Sequence, residues 1–199
     1  MMKPLGEVAS VSTAYPFRGK VDSEAGGDVA VIQMRDVDPD FVEGPPNLRT
    51  VWVRNEGGRF DRHLIRKGDL LFQSRGSRHP AMVAADEVRA IAGSGVHVIR
   101  VDPAFVNSQY LCWWINHPST QKRLVTDIAR GSNVPFVSKG DLERFEVPVP
   151  PIAVQRQIVE VDRLRTRERV LGKRLESLQQ QLVDSVTLSV AVHNRSREQ

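Results

Sequence analysis

The sequence predicts an α+β protein: a globular domain of mixed strands and short helices, followed by one long C-terminal coiled-coil helix. Three observations predict it. Through residues 1–150, short β-branched runs are punctuated by Gly, Asp and Pro, which reads as strands and turns. Pro148, Pro150 and Pro151 then forbid helix behind them and favour an extended approach. From Pro151 to about Val192, Gly172 is the only further glycine or proline, and apolar residues recur at helical spacing. The boundaries are a domain over 1–150, a long helix over 151–192 and a polar tail over 193–199.

Along the first domain, "DVAVIQMRDV" from Asp28 is β-rich, and "TVWVRN" from Thr50 alternates. "GDLLFQSR" from Gly68 is a turn followed by an apolar strand. "AMVAADEVRAIAGSGVHVIRVD" from Ala81 reads as strands broken at Asp86-Glu87 and at Gly93-Ser94-Gly95. Asn107 or Ser108 caps a helix carrying Tyr110, Leu111, Trp114 and Ile115. Pro118 opens a second with Leu124, Val125 and Ile128. "GSNVPFVSKGDLERFEVPVP" returns through a loop and a one-turn helix to a final strand.

In the long helix, Val154, Ile158, Val161 and Leu164 form one apolar set; Leu171, Leu175, Leu178, Leu182 and Val186 form a heptad seam. "RTRERV" interrupts them. A helix of about 40 residues runs about 60 Å, and a stripe of that length calls for a partner helix. The alternative is a core helix folded back on its own domain.

Composition narrows the function. Hydrophobic residues make up 40% and charged residues 26% of the 199, as in a soluble globular protein. No apolar run approaches the ~20 residues that span a membrane, and the N-terminus lacks the apolar core of a secretory signal. Cys112 is the only cysteine, so no internal disulfide forms and the cytoplasm is the expected compartment. The net charge is +4, and residues 151–199 hold nine Lys/Arg against six Asp/Glu. A polyanion-binding surface on the first domain must therefore come from local clustering.

Catalytic patterns are missing. The five histidines are dispersed, without metal-ligand spacing. There is no phosphate-binding GxxxxGK[ST] loop and no nucleophile elbow. "DLERF" from Asp141 brings two carboxylates together, yet lacks the lysine and second acidic strand a metal-dependent nuclease would use. No motif for binding S-adenosylmethionine is present. The expectation is no catalytic residue, no metal and no cofactor on this chain.

Polar loops remain. "QSRGSRHP" offers Gln73, Ser74, Arg75, Ser77, Arg78 and His79 around a glycine. Arg and Gln read guanine and adenine edges, and Ser donates to phosphate. "ARGSN", with Arg130, Ser132 and Asn133, and "VSKGD", with Lys139, are similar. The alternative for each is a solvated turn. Arg75, nearer the strand, is assigned to a base edge and Arg78 to a phosphate; the competing reading pairs both with carboxylates such as Asp69 or Asp86.

Taken together, "KPLGEVAS", "GDLLFQSRG", "SQYLCWWINHPSTQKRL" and "RGSNVPFVSKGDLERFEVPVPPIAVQRQIV" resemble the specificity subunit of type I restriction-modification systems, the run from Gly131 to Val159 most specifically. The match includes Pro148, Pro150, Pro151, Gln155 and Ile158; Val154 departs, where the family commonly has Glu. The resemblance implies a non-catalytic target recognition domain over 1–150 that reads one half of a split site in double-stranded DNA. It implies a spacer helix that pairs antiparallel with another, here through Ile158, Val161, Leu164, Leu171, Leu175, Leu178 and Leu182. It implies methyltransferase (modification) subunits that clamp the helices and supply the chemistry, so S-adenosylmethionine is expected only on them. A restriction or translocase subunit is a further partner it allows, within phage defence. A typical member holds two recognition domains and two helices; this sequence holds one of each. That makes it a half-length form, expected to homodimerise or to pair with a second half-subunit. The alternative is an assembly adaptor that keeps the fold and helix without reading sequence.

Overall fold

The computed structural model describes residues 1–17, 19, 21–38, 50–84, 89–128 and 134–195, with side chains described through 189. Two compact units result, Met1–Arg156 and Gln157–Gln199. In chain order the strands are β1 (Met2–Pro4), β2 (Ala9–Ser12), β3 (Val29–Ile32), β4 (Val51–Val53), β5 (Leu70–Gln73), β6 (Ala81–Val83), β7 (Ala90–Ala92), β8 (Val96–Val101) and β9 (Glu146–Pro148). The helices are α1 (Ser108–Asn116), α2 (Pro118–Arg123), α3 (Lys139–Arg144) and α4 (Ile152–Arg195). The α+β class predicted from the sequence is the one observed.

The largest sheet is antiparallel, in the order β2-β8-β5-β6. A three-stranded sheet, β4-β3-β7, pairs β3 antiparallel to β4 and parallel to β7. β1 and β9 form a third, two-stranded sheet. Alternation along β5 sends Leu71 into one cluster with Val37, Ala92, Val96 and Val98. Leu70 and Phe72, on the other face of β5, are equally buried. Val29, Val31, Val53, Phe60 and Ile91 build the core of the smaller sheet, covered by Tyr15 and Phe17. The break between β7 and β8 falls at Gly93-Ser94-Gly95: Gly95 has φ +83°, and a Cβ there would run into the Met34 side chain.

The opening segment, to which the sequence reading assigns no element, supplies β1 and β2. Their ladders come from distant partners, Met2 opposite Pro148 and Ala9 opposite Val101. Asn107 caps α1, its side chain accepting from Tyr110 N at 3.1 Å. Asn116, on the last turn of α1, accepts from Ala81 N at 3.0 Å and donates to Ala81 O at 2.7 Å. It thereby satisfies both backbone groups of Ala81, at the start of the edge strand β6. α2 does not end cleanly: Leu124–Ile128 continue it as a widened π turn.

Pro151 stands just before the first residue of α4 rather than at that position. Its carbonyl accepts from Val154 N at 2.9 Å and Gln155 N at 3.1 Å, as an N-cap carbonyl does. The helix continues through Arg195, past the end expected at Val192, because nothing in "AVHNR" breaks it. Its 157–189 stretch exposes Val161, Leu164, Leu171, Leu175, Leu178 and Leu182, while Ile158 is half-buried.

Candidate nucleic-acid interface

The loop after β5 is built as a small scaffold with an exposed rim. Gln73 N donates to Pro80 O at 2.9 Å and closes the loop at its base. Ser74 is buried, and its hydroxyl donates to Gly95 O at 2.9 Å. Arg75 forms an antiparallel bridge with Phe136. On either side of that bridge, Val137 N donates to Ser74 O at 2.9 Å and Gly76 N donates to Pro135 O at 3.0 Å. The loop and the segment 134–137 are therefore laced together by backbone bonds. Gly76 has φ +120°, a backbone conformation that strains any residue with a Cβ, and such a Cβ would also press on Gln73 Nε2 at 3.0 Å.

The segment 134–137 follows directly in sequence on the second polar loop singled out above. Arg130, Ser132 and Asn133 lie outside the described residues, as does Asp86. Arg75, Ser77 and Arg78 are exposed, Gln73 half-buried. Arg78 makes no hydrogen bond or ion pair with the described residues. The Arg75 guanidinium lies 5.0 Å from the centroid of the Phe136 ring. Lys139 is exposed on the first turn of α3 and faces Glu143 at 3.6 Å.

Ser74 and His79 need correction as surface contacts. Both are buried, and they hold the loop from beneath. His79 Nδ1 lies 3.0 Å from Gln73 O; a carbonyl only accepts, so this nitrogen carries the proton. Gln121 grips the same residue twice, accepting from His79 N at 3.0 Å and donating to His79 O at 2.8 Å. His97, from β8, donates through Nε2 to Val137 O at 3.2 Å and so braces the facing segment. Both rings lie nearly parallel to Phe72, at 15° and 16°. Their remaining nitrogens, His79 Nε2 and His97 Nδ1, find no partner among the described residues. Burial holds both imidazoles below their ordinary pKa.

The competing reading, in which Asp69 neutralises the loop arginines, fails on geometry. Asp69 is almost wholly buried and faces Arg100 of β8, at 2.8 Å from Nε and 2.6 Å from Nη2. The same carboxylate accepts from Arg66 N at 2.8 Å. The "DLERF" carboxylates are engaged within α3: Asp141 pairs with Arg144 at 2.7 Å, and Glu143 with Lys139. Among the described residues no group of three or more His, Cys, Asp or Glu could hold a metal ion. Cys112 is half-buried with its Sγ 3.4 Å from Ala81 O.

The family model for the type I restriction modification DNA specificity domain matches residues 1–166. The chain belongs to that family. Three solved structures share the fold of this specificity domain. One is a chain from a type I R-M system, in a structure of its complex assembly and conformational transition (18% identity, TM-score 0.61, covering 86% of this chain and 39% of that one). Another is the HsdS subunit from Thermoanaerobacter tengcongensis (20% identity, TM-score 0.56, covering 87% and 39%). The third is the type I restriction-modification S subunit from M. genitalium (13% identity, TM-score 0.52, covering 81% and 37%). The specificity domain thus spans about two-fifths of the length of these chains. No curated protein matches it significantly. No helix among the described residues is long and apolar enough to cross a membrane.

Two motif residues of the specificity domain take on physical roles that the sequence reading did not assign. Asp69, in the Gly-Asp pair before β5, ties the turn at Arg66 to β8 through the bonds above. Gln155 is fully buried. Its Oε1 accepts from Asn107 N at 2.8 Å, and its Nε2 donates to Phe105 O at 2.9 Å and Pro150 O at 2.8 Å. It pins the first turn of α4 to the α1 cap and the proline run. A glutamine one turn into a helix that follows three prolines was the available signal. Phe136 was missed as well; an aromatic after proline in a polar loop was its only signature.

Proposed function

We propose that this specificity domain reads sequence in double-stranded DNA on behalf of methyltransferase subunits, and that the chemistry resides on them. The observation that carries the reading is the rim of Arg75, Ser77 and Arg78, set on a loop that hydrogen bonds fix from below. Arginine is the side chain most often used for guanine edges, and an exposed arginine beside it suits a phosphate. S-adenosylmethionine belongs to the methyltransferase in this proposal, and the complex works in the cytoplasm.

We further propose pairing through α4. The seam of Leu171, Leu175, Leu178 and Leu182 is exposed on a helix that continues to Arg195. A second copy, or a second half-subunit, laid antiparallel would cover it. Two identical copies would select an inverted, two-fold symmetric split site.

The test is methylation mapping in cells carrying the methyltransferase gene with and without this chain. A split motif methylated only when both are present is expected. A complex that assembles and methylates without sequence preference would sink the reading and leave an assembly adaptor in its place.

A further inference from the structure

We infer that Phe136 is a positioning residue for base reading: its ring holds the Arg75 guanidinium as a preformed fork for one guanine edge. The inference rests on the DNA-reading proposal and adds a residue and a base class to it.

An exposed arginine has many rotamers, and a contact with a base edge must overcome the entropy of fixing one. Here the backbone removes part of that freedom. The Arg75–Phe136 bridge, with backbone bonds at Gly76 and Val137, fixes the two Cα positions relative to each other. Gln73 Nε2 donates to Arg75 O at 2.7 Å and fixes the peptide that follows. The ring, 5.0 Å from the guanidinium carbon, then offers it a face on which to lie. A guanidinium stacked on a ring keeps its N–H donors, which point along its edge and not through its face. Two parallel donors match guanine O6 and N7 in the major groove. Phe136 is itself braced: the buried His97 ring meets it edge-on, with centroids 6.5 Å apart at 70°. Arg78, three residues on, lies over no ring among the described residues and is exposed. The two arginines are therefore inequivalent, one held by a ring and one open to a phosphate.

The experiment selects duplexes from a random-sequence pool with the full chain assembled on its methyltransferase. Four proteins are compared: wild type, Arg75→Ala, Phe136→Met and Phe136→Tyr. Methionine keeps apolar bulk but has no ring face; tyrosine keeps the face. The wild type should select a motif containing a G·C pair at a position where Arg75→Ala loses discrimination by about tenfold or more. Phe136→Met should lose it at that same position, and Phe136→Tyr should retain it. Two results overturn the inference while DNA reading stands: Arg75→Ala relaxes a position that Phe136→Met leaves intact, or neither variant changes the motif. A uniform fall in affinity with the motif preserved also overturns it, because packing or phosphate contact would then be the role of both residues. If Phe136→Met fails to fold, Arg75→Ala with Phe136→Tyr decides: an unchanged Arg75→Ala motif, or a motif lost in Phe136→Tyr, is fatal. Absence of any motif in the wild type removes the DNA-reading proposal itself.

Discussion

In the unit Met1–Arg156, Leu70, Phe72, Ile91 and Ile99 have no more than 0% of their surface exposed, whereas in the helical unit Gln157–Gln199 five leucines from Leu164 to Leu182 are 46–65% exposed. Both units are rich in aliphatic side chains, yet they use them differently. The first closes a core because its strands bring residues distant in sequence face to face. The second is a single helix, and a helix cannot bury its own stripe. A row of exposed leucines is a surface shaped for association. The polar groups differ in the same way. Asp69 and Gln155 are buried and multiply bonded, Asp69 to a partly exposed Arg100, while Glu160–Arg163 on α4 is an exposed pair at 2.8 Å. The body is stabilised from within, whereas the helix leaves its leucine row uncovered by the described residues.

The sharpest way to break this contrast is to charge the helix. Leu175→Asp with Leu178→Asp should abolish self-association or pairing with a second half-subunit, because each large buried side chain lost from a seam costs about 2–5 kcal/mol. Sedimentation velocity reads the mass, and the unfolding midpoint of the body should not move. An unchanged oligomeric mass would show that the seam is not the interface.

Next in size is Asp69→Ala. It strips Arg100 and Arg66 N of their partner and should cost about 3 kcal/mol, the low end for a broken buried pair. The discount reflects Arg100, whose side chain is 40% exposed. Gln155→Ala should follow at about 2–3 kcal/mol, from three backbone groups left with poorer partners. Both are measured by urea unfolding of the full chain. A loss confined to the helix signal, with the body transition unmoved, would contradict the assignment of either residue to the body.

Acid supplies a smaller effect with a definite sign. Burial lowers the pKa of His79 and His97 in the folded state below the ordinary value of 6.5. The unfolded chain therefore binds protons first as pH falls, so the stability these neutral rings contribute is present above 6.5 and is lost as pH falls through that value toward the folded one. Unfolding at pH 7.5 and 5.5 should show the body weaker in acid, and His79→Gln should flatten the slope. Smallest of all, Arg163→Ala should leave both stability and association unchanged, since the pair it breaks is fully solvated.

Most strands, the cap of α1 and the long helix were legible in the sequence because their signals are local. Alternation, a capping Asn107 and an unbroken helical period all act within a few residues. β1 and β2 were not, since each takes its ladder from strands far along the chain, and "KPLGEVAS" alone carries no period. Among the candidate site residues, Arg75, Ser77 and Arg78 did prove exposed. Ser74 and His79 look alike to them in sequence, for a short polar loop has no periodicity by which inward and outward residues can be told apart.

The sequence by itself determined the α+β class, the proline boundary ahead of a long helix, the heptad seam and the family, through short-range patterns and motif order. Only the tertiary structure decided that Asp69 belongs to Arg100, that Gln155 pins the start of α4, that two buried histidines support the loops, and that Arg75 lies on Phe136. Asp69–Arg100, His97–Val137, Gln155–Asn107 and Arg75–Phe136 join residues 31 to 61 positions apart, and at that separation partner choice follows from strand register and packing, which no local pattern encodes.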